Sequence, residues 1–185
     1  EDLFSKKGHA ALGINTISKN SGVDKSYIYR KYQTFENLLE AYFTHKDYWS
    51  SRVSAVNDAI ANSAPFKLRQ IIDYYLHKQL DTVLEDKQFQ KLMLWSVSEE
   101  NELMKSFITK REEVGENLFE AATAEIKETA VDFRAVSAIN VAALYYLGLH
   151  AASNNGTFCG LDLKTTEAQQ KIKDAISFIN QIFLK

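Results

Sequence analysis

One proline and seven glycines in 185 residues are too few for a turn-rich β-sandwich or a disordered chain. Cysteine is almost absent as well. The single Cys159 excludes an intrachain disulfide, so the fold is not built for an oxidising compartment, and a cytoplasmic location is expected. No uninterrupted apolar run reaches the roughly 18 residues of a membrane span, so no membrane partner is expected. The start, Glu1-Asp2-Leu3-Phe4, has neither the basic nor the apolar part of a signal peptide. It also lacks an initiator Met, and the natural N-terminus is expected to extend further. What is abundant is apolar and charged surface, 45% and 25% of residues, enough for a helical body with a sizeable core.

The net charge of −2 argues against a uniformly basic nucleic-acid binder, yet the charge is unevenly spread. Between Ser5 and Phe35 stand Lys6, Lys7, Lys19, Lys25, Arg30 and Lys31 against Asp24 alone, a local +5 that leaves −7 for the rest. Such an asymmetry points one end of the molecule at a polyanion.

Helical periodicity runs through the whole sequence. A first helix ends at Lys7 with Gly8 as its stop, a second runs Ile14–Ser21 to Gly22, and a third opens at the N-cap Asp24 and runs through Lys31. Thr34 caps a fourth. Its apolar positions Phe35, Leu39, Tyr42, Trp49, Val53, Val56 and Ile60, interrupted only by Lys46, predict a helix of about seven turns, roughly 39 Å. Further helices are expected from Pro65 to Leu84, near Lys87–Val97, across Glu100–Glu128, across Phe133–Ala152 behind the cap Asp132, and from a Thr166/Gln169 capping box to the C-terminus. Ser153–Leu163 is the one long loop. No strand alternation is present, and the fold class is all-α.

Ile14 to Tyr32 read as helix, turn, helix, with Ile17, Val23 and Ile28 locking the pair and Gly22 freeing the turn. At roughly 100° per residue, Ile28 points inward while Ser26 and Arg30 point away, Tyr27 and Tyr29 flank that face, and Lys25 stands at its N-terminal end. Short polar, aromatic and cationic groups near a helix N-terminus are what reading a DNA major groove requires.

Gly8-His9, Ile14, Ile17, the run from Ser21 to Tyr32 and Thr34-Phe35-Glu36-Asn37-Leu38-Leu39 together resemble the N-terminal signature of the tetracycline-repressor (TetR) family. The resemblance covers about 43 residues; beyond them it is one of architecture. It implies a helix-turn-helix DNA-binding domain over 1–43 and a helical regulatory and dimerisation domain over 44–185. It also implies base contacts from Asn15, Lys25, Ser26 and Tyr27, and phosphate contacts from Tyr29 and Lys31. The outward-facing geometry favours Arg30 over Lys31, and both stay in the set. Three positions depart from the pattern: Gly13 stands where a Thr cap is usual, His9 replaces an aromatic, and Phe35 replaces a phosphate-contacting Lys.

Reactive constellations are missing. His9, His45, His77 and His150 are scattered without metal-ligand spacing, and there is no glycine-rich phosphate loop, CxxC pair or G-x-S-x-G elbow, so no catalytic site, metal or cofactor is expected. Aromatics concentrate in the body, and Tyr75, Trp95, Phe107 and Tyr145 are the candidates for lining an apolar effector cavity. The sequence thus predicts a DNA-binding repressor of a near-palindromic operator, released by a small apolar or amphipathic effector. It would pair as a homodimer through its last two helices. The alternative is a helical protein-interaction module whose turn motif is merely structural.

Overall fold

The computed structural model describes residues 2–47, 65–123, 126–154 and 157–184. Among these it is all-α. Nine α-helices follow one another: α1 (Asp2–Lys7), α2 (Ile14–Ser21), α3 (Lys25–Tyr32), α4 (Phe35–Lys46), α5 (Pro65–Glu85), α6 (Lys87–Ser98), α7 (Glu102–Ala122), α8 (Phe133–Ser153) and α9 (Thr166–Phe183). A single 3-10 turn, His9–Ala11, follows α1. Extended pairing among the described residues is limited to two isolated bridges, Ile126 with Leu184 and Phe158 with Leu161.

The chain forms two compact units: one is drawn from Glu1–Ser51 and Lys87–Glu112, the other from Arg52–Asp86 and Glu113–Lys185. In the first, α6 packs against α1 and α4, and α3 against α2 and α4. Its core is aromatic. Phe4 meets Phe43 edge-on at 5.3 Å, and Phe43 meets Trp95 at 5.5 Å. Leu39, Phe89, Leu92, Met104 and Phe107 are buried beside them. Tyr42, half-buried, donates its hydroxyl to Gln88 Oε1 at 2.9 Å, which gives its polar end a partner.

The seven-turn helix expected from Phe35 is not what forms. α4 stops at Lys46, and Asp47 turns extended, with φ −66° and ψ 131°. At this end the fully buried Asp47 carboxylate reaches a residue far along the chain, Arg111 in α7, Oδ1 to Nε 3.1 Å. The remaining positions of that stripe, from Trp49 to Ile60, lie outside the described residues.

In the second unit α5 packs along α8 and α9. Three apolar clusters line these contacts: Leu68, Ala122, Phe133, Phe183 and Leu184; then Leu76, Leu80, Leu144 and Ile176; then Leu147, Ala151, Leu163 and Ala168. A polar seam runs beside them. Asn180 donates to Asp73 at 2.7 Å, His77 Nε2 lies 3.1 Å from Ser177 Oγ and 3.0 Å from the Lys173 carbonyl, and Lys173 pairs with Asp81 at 2.5 Å. Positions 73, 77 and 81 share one face of α5, so these pairs set the register of α9 against it.

Two further boundaries and one hydropathy reading differ from the sequence reading in ways the structure explains. α7 ends at Ala122 instead of Glu128, because the chain beyond pairs with the C-terminus: Ile126 bridges Leu184, and the Lys127 N–H donates to the Phe183 carbonyl at 2.7 Å. α9 is capped by Thr165, whose side chain accepts from the Ala168 N–H, instead of by Thr166. Lastly, Phe133–Ser153 is long and apolar enough to cross a membrane by length and composition, with a mean hydropathy of 1.4 over its best window. Ser137 and Asn140 break the uninterrupted run, yet the window average stays at the level of a span.

Candidate nucleic-acid interface

Local hydrogen bonds build the turn between α2 and α3. Gly22, at φ 70°, caps α2 in the left-handed conformation that glycine adopts without strain, and its N–H donates to the Ser18 carbonyl at 3.0 Å. The Ser18 hydroxyl donates to the Val23 carbonyl at 2.7 Å, and the Val23 N–H donates to Ser21 Oγ at 3.2 Å. Asp24 then opens α3, accepting the Ser26 N–H at 2.7 Å. That backbone bond, reinforced by the Ser26 side chain, holds the Asp24 carboxyl below its ordinary value.

With α3 so anchored, Ile28 is 5% exposed and turned into the first unit. Lys25, Ser26, Tyr27, Tyr29, Arg30 and Lys31 are all exposed, and so is Asn15 in the first turn of α2. Tyr27 and Tyr29 show about half their surface, 51% and 44%. The Arg30 guanidinium lies over the Tyr27 ring, 5.5 Å from its centroid, and Lys31 Nζ lies 5.3 Å from the centroid of Tyr32. α3 therefore presents a cationic and aromatic surface with one apolar anchor beneath it.

The link from α3 to α4 is tight. Gln33 takes φ 68° and ψ −49°, and the Thr34 N–H donates back to the Tyr32 carbonyl at 2.8 Å, a strained γ-turn. Thr34 caps α4 by accepting the Asn37 N–H at 3.0 Å, while the Asn37 amide donates to the Tyr32 carbonyl at 2.9 Å. Gly13 precedes α2 with no side-chain cap, consistent with its place where Thr is usual.

No family model matches the sequence, and no curated protein matches it. Among solved structures, a TetR family transcription regulator from Marinobacter aquaeolei VT8 is similar with a TM-score of 0.59, covering 94% of this chain and 89% of that one at 19% identity. The chain has the fold of a TetR family transcription regulator.

Within this TetR-type fold, the four aromatics proposed to line an effector site divide between the two units. Trp95 and Phe107 are buried in the first; Tyr75, buried, and Tyr145, half-buried, belong to the second. Trp95 donates its indole N–H to Glu99 and Phe107 lies under the Arg111 guanidinium, 5.6 Å from ring centroid to Cζ. Tyr75 meets Tyr74 edge-on at 5.4 Å. Sequence reasoning overlooked Asp47 and Arg111. The signal was there for Arg111: with Met104, Phe107 and Val114 it follows the three–four spacing of the buried face of α7, where an arginine needs an explanation.

Proposed function

We propose that this chain is a sequence-specific DNA-binding transcriptional regulator, a cytoplasmic homodimer that represses from a near-palindromic operator and is released by a small apolar or amphipathic effector. The observation that carries the reading is the α3 surface: six exposed groups able to meet bases and phosphates, on a capped helix held by the single inward Ile28. In this reading residues 1–43 form the DNA-binding part. Asn15, Lys25, Ser26 and Tyr27 face base edges, and Tyr29, Arg30 and Lys31 face phosphates. Residues 44–185 supply dimerisation and effector response.

Exposed apolar side chains support the dimer. On α8, Ile139 is 67% and Tyr146 55% exposed beside the exposed Ala135, Ala138 and Ala142; on α9, Phe178 is 65% and Ile182 47% exposed. A second copy covering these groups removes apolar surface from water and sets two recognition helices about a groove repeat apart. The fold itself, shared with a transcription regulator, supports the same assignment.

Selection of bound duplexes from a random pool, followed by affinity measurements across a salt series, tests the reading. A near-palindromic consensus is expected, with log affinity falling linearly with log salt by about 0.9 per phosphate contacted. No enrichment, or affinity indifferent to salt, overturns it in favour of the interaction module.

A further inference from the structure

Arg111 is a charged group in the first unit's apolar core. Its side chain is 10% exposed, with Cζ 5.6 Å from the ring centroid of Phe107 and 6.0 Å from that of Phe89, and Nη1 3.3 Å from Met93 Sδ. Its carboxylate partner is the fully buried Asp47, 3.1 Å away. Burial pushes the guanidinium below its ordinary value, against the opposing pull of Asp47 and then Glu112. The neighbouring tie is of another kind: Lys110 and Ser106 hold Glu40 of α4, and the Lys110 and Glu40 side chains are 44% and 35% exposed.

Two features make the buried pair suited to exchange. First, a guanidinium ringed by two phenyl groups and a thioether presents charge for a carboxylate and apolar surface for what the carboxylate is attached to. Second, Asp47 ends α4 in extended backbone, so its carboxylate can leave without unwinding a helix. An incoming carboxylate that takes its place keeps the buried guanidinium compensated, whereas simple departure does not.

We propose that Arg111 anchors an acidic effector. An amphipathic carboxylate, a fatty or aryl acid, displaces Asp47 from Arg111, lays its apolar body against Phe89, Met93 and Phe107, and sends the Asp47 carboxylate to water. Its consequence for DNA rests on the regulator reading above: α4 begins directly behind α3, and freeing its far end loosens the mount of the recognition helix.

The test is isothermal titration calorimetry of the full chain, without DNA, with decanoate and 4-phenylbutyrate against decanol and decanamide. The account expects the acids to bind at least about tenfold more tightly than the neutral compounds. Asp47→Asn, which removes the competing charge, should bind the acids about tenfold more tightly than wild type, and Arg111→Gln should lose the preference for acids. Equal binding of acids and neutral compounds, no binding of either acid, or an unchanged acid affinity in folded Asp47→Asn overturns the proposal. The wild-type comparison decides even if Arg111→Gln does not fold. A chain that binds acids but no duplex contradicts the regulator reading alone; one that binds duplex but no acid contradicts this site alone.

Discussion

The imidazole of His9 lies flat on the indole of Trp95, ring centroids 4.6 Å apart and planes 3° from parallel. One carboxylate joins them: Glu99 Oε1 accepts the Trp95 N–H and stands 2.9 Å from His9 Nε2. His9 thus stands as a stacking ring where the resembled pattern has an aromatic, with a polar nitrogen facing Glu99 added. His9→Phe keeps the stack and loses a half-exposed pair, so it should change unfolding free energy by less than about 1 kcal/mol. His9→Ala loses the stack as well and should cost about 1–2 kcal/mol. Urea denaturation measures both, and equal effects would show that the stack contributes nothing.

Gly148 of α8 lies directly against Val83 of α5. A Cβ there would collide with the side chain of Val83 and stand 3.2 Å from its backbone carbonyl carbon. Gly148→Ala is expected to destabilise by roughly 1–3 kcal/mol through overpacking. Because the collision is mainly with the side chain, the Gly148→Ala/Val83→Ala pair should cost less than the sum of the single changes. Strict additivity in a double-mutant cycle would contradict the contact.

Acid should weaken α3 through its cap. The folded-state value of Asp24 lies below the unfolded one, so its contribution is full above the ordinary carboxylate range and is lost as pH falls through the folded value. Asp24→Asn retains a capping oxygen that does not titrate. The stability difference between wild type and Asp24→Asn should therefore shift against wild type as pH falls from about 5 to about 2. Parallel curves would show that the Ser26 bond does not favour the ionised form.

The two C-terminal helices should carry the dimer. Sedimentation of the wild-type chain at micromolar concentration should give about twice 21.1 kDa, and Phe178→Glu or Ile139→Glu should give monomer while helical content by circular dichroism is unchanged. A wild-type monomer, or a dimer indifferent to both substitutions, would contradict the assignment.

What the sequence disclosed was what local chemistry decides. Gly22, Asp24 and Thr34 act on residues within one turn of themselves, so the bounds of α2 and the starts of α3 and α4 were legible. The end of α4 was not. Its apolar spacing resumes beyond Lys46, the one interruption of the stripe, and the buried tie of the C-cap Asp47 is to Arg111, which no window of residues around Asp47 contains. The end of α7 hid for the same reason, being set by pairing with Leu184. The cap of α9 fell to the first of two adjacent threonines, and no spacing rule separates Thr165 from Thr166; the Gln169 amide, donating to the Leu163 carbonyl at 2.9 Å, fastens the side chain away from the expected box. The exposed set on α3 was readable because one inward residue, Ile28, fixes the rotation of a two-turn helix.

The central claim is that α3 reads DNA, and the most direct test is fluorescence anisotropy of the selected duplex with wild type, Lys25→Ala and Tyr29→Ala/Lys31→Ala. Lys25→Ala should lose about 1–3 kcal/mol and alter sequence preference; the double variant should weaken all duplexes alike and flatten the salt slope by about one contact or more. If Tyr29→Ala/Lys31→Ala binds the selected duplex as tightly as wild type, with the same salt slope, α3 is not the DNA-reading element.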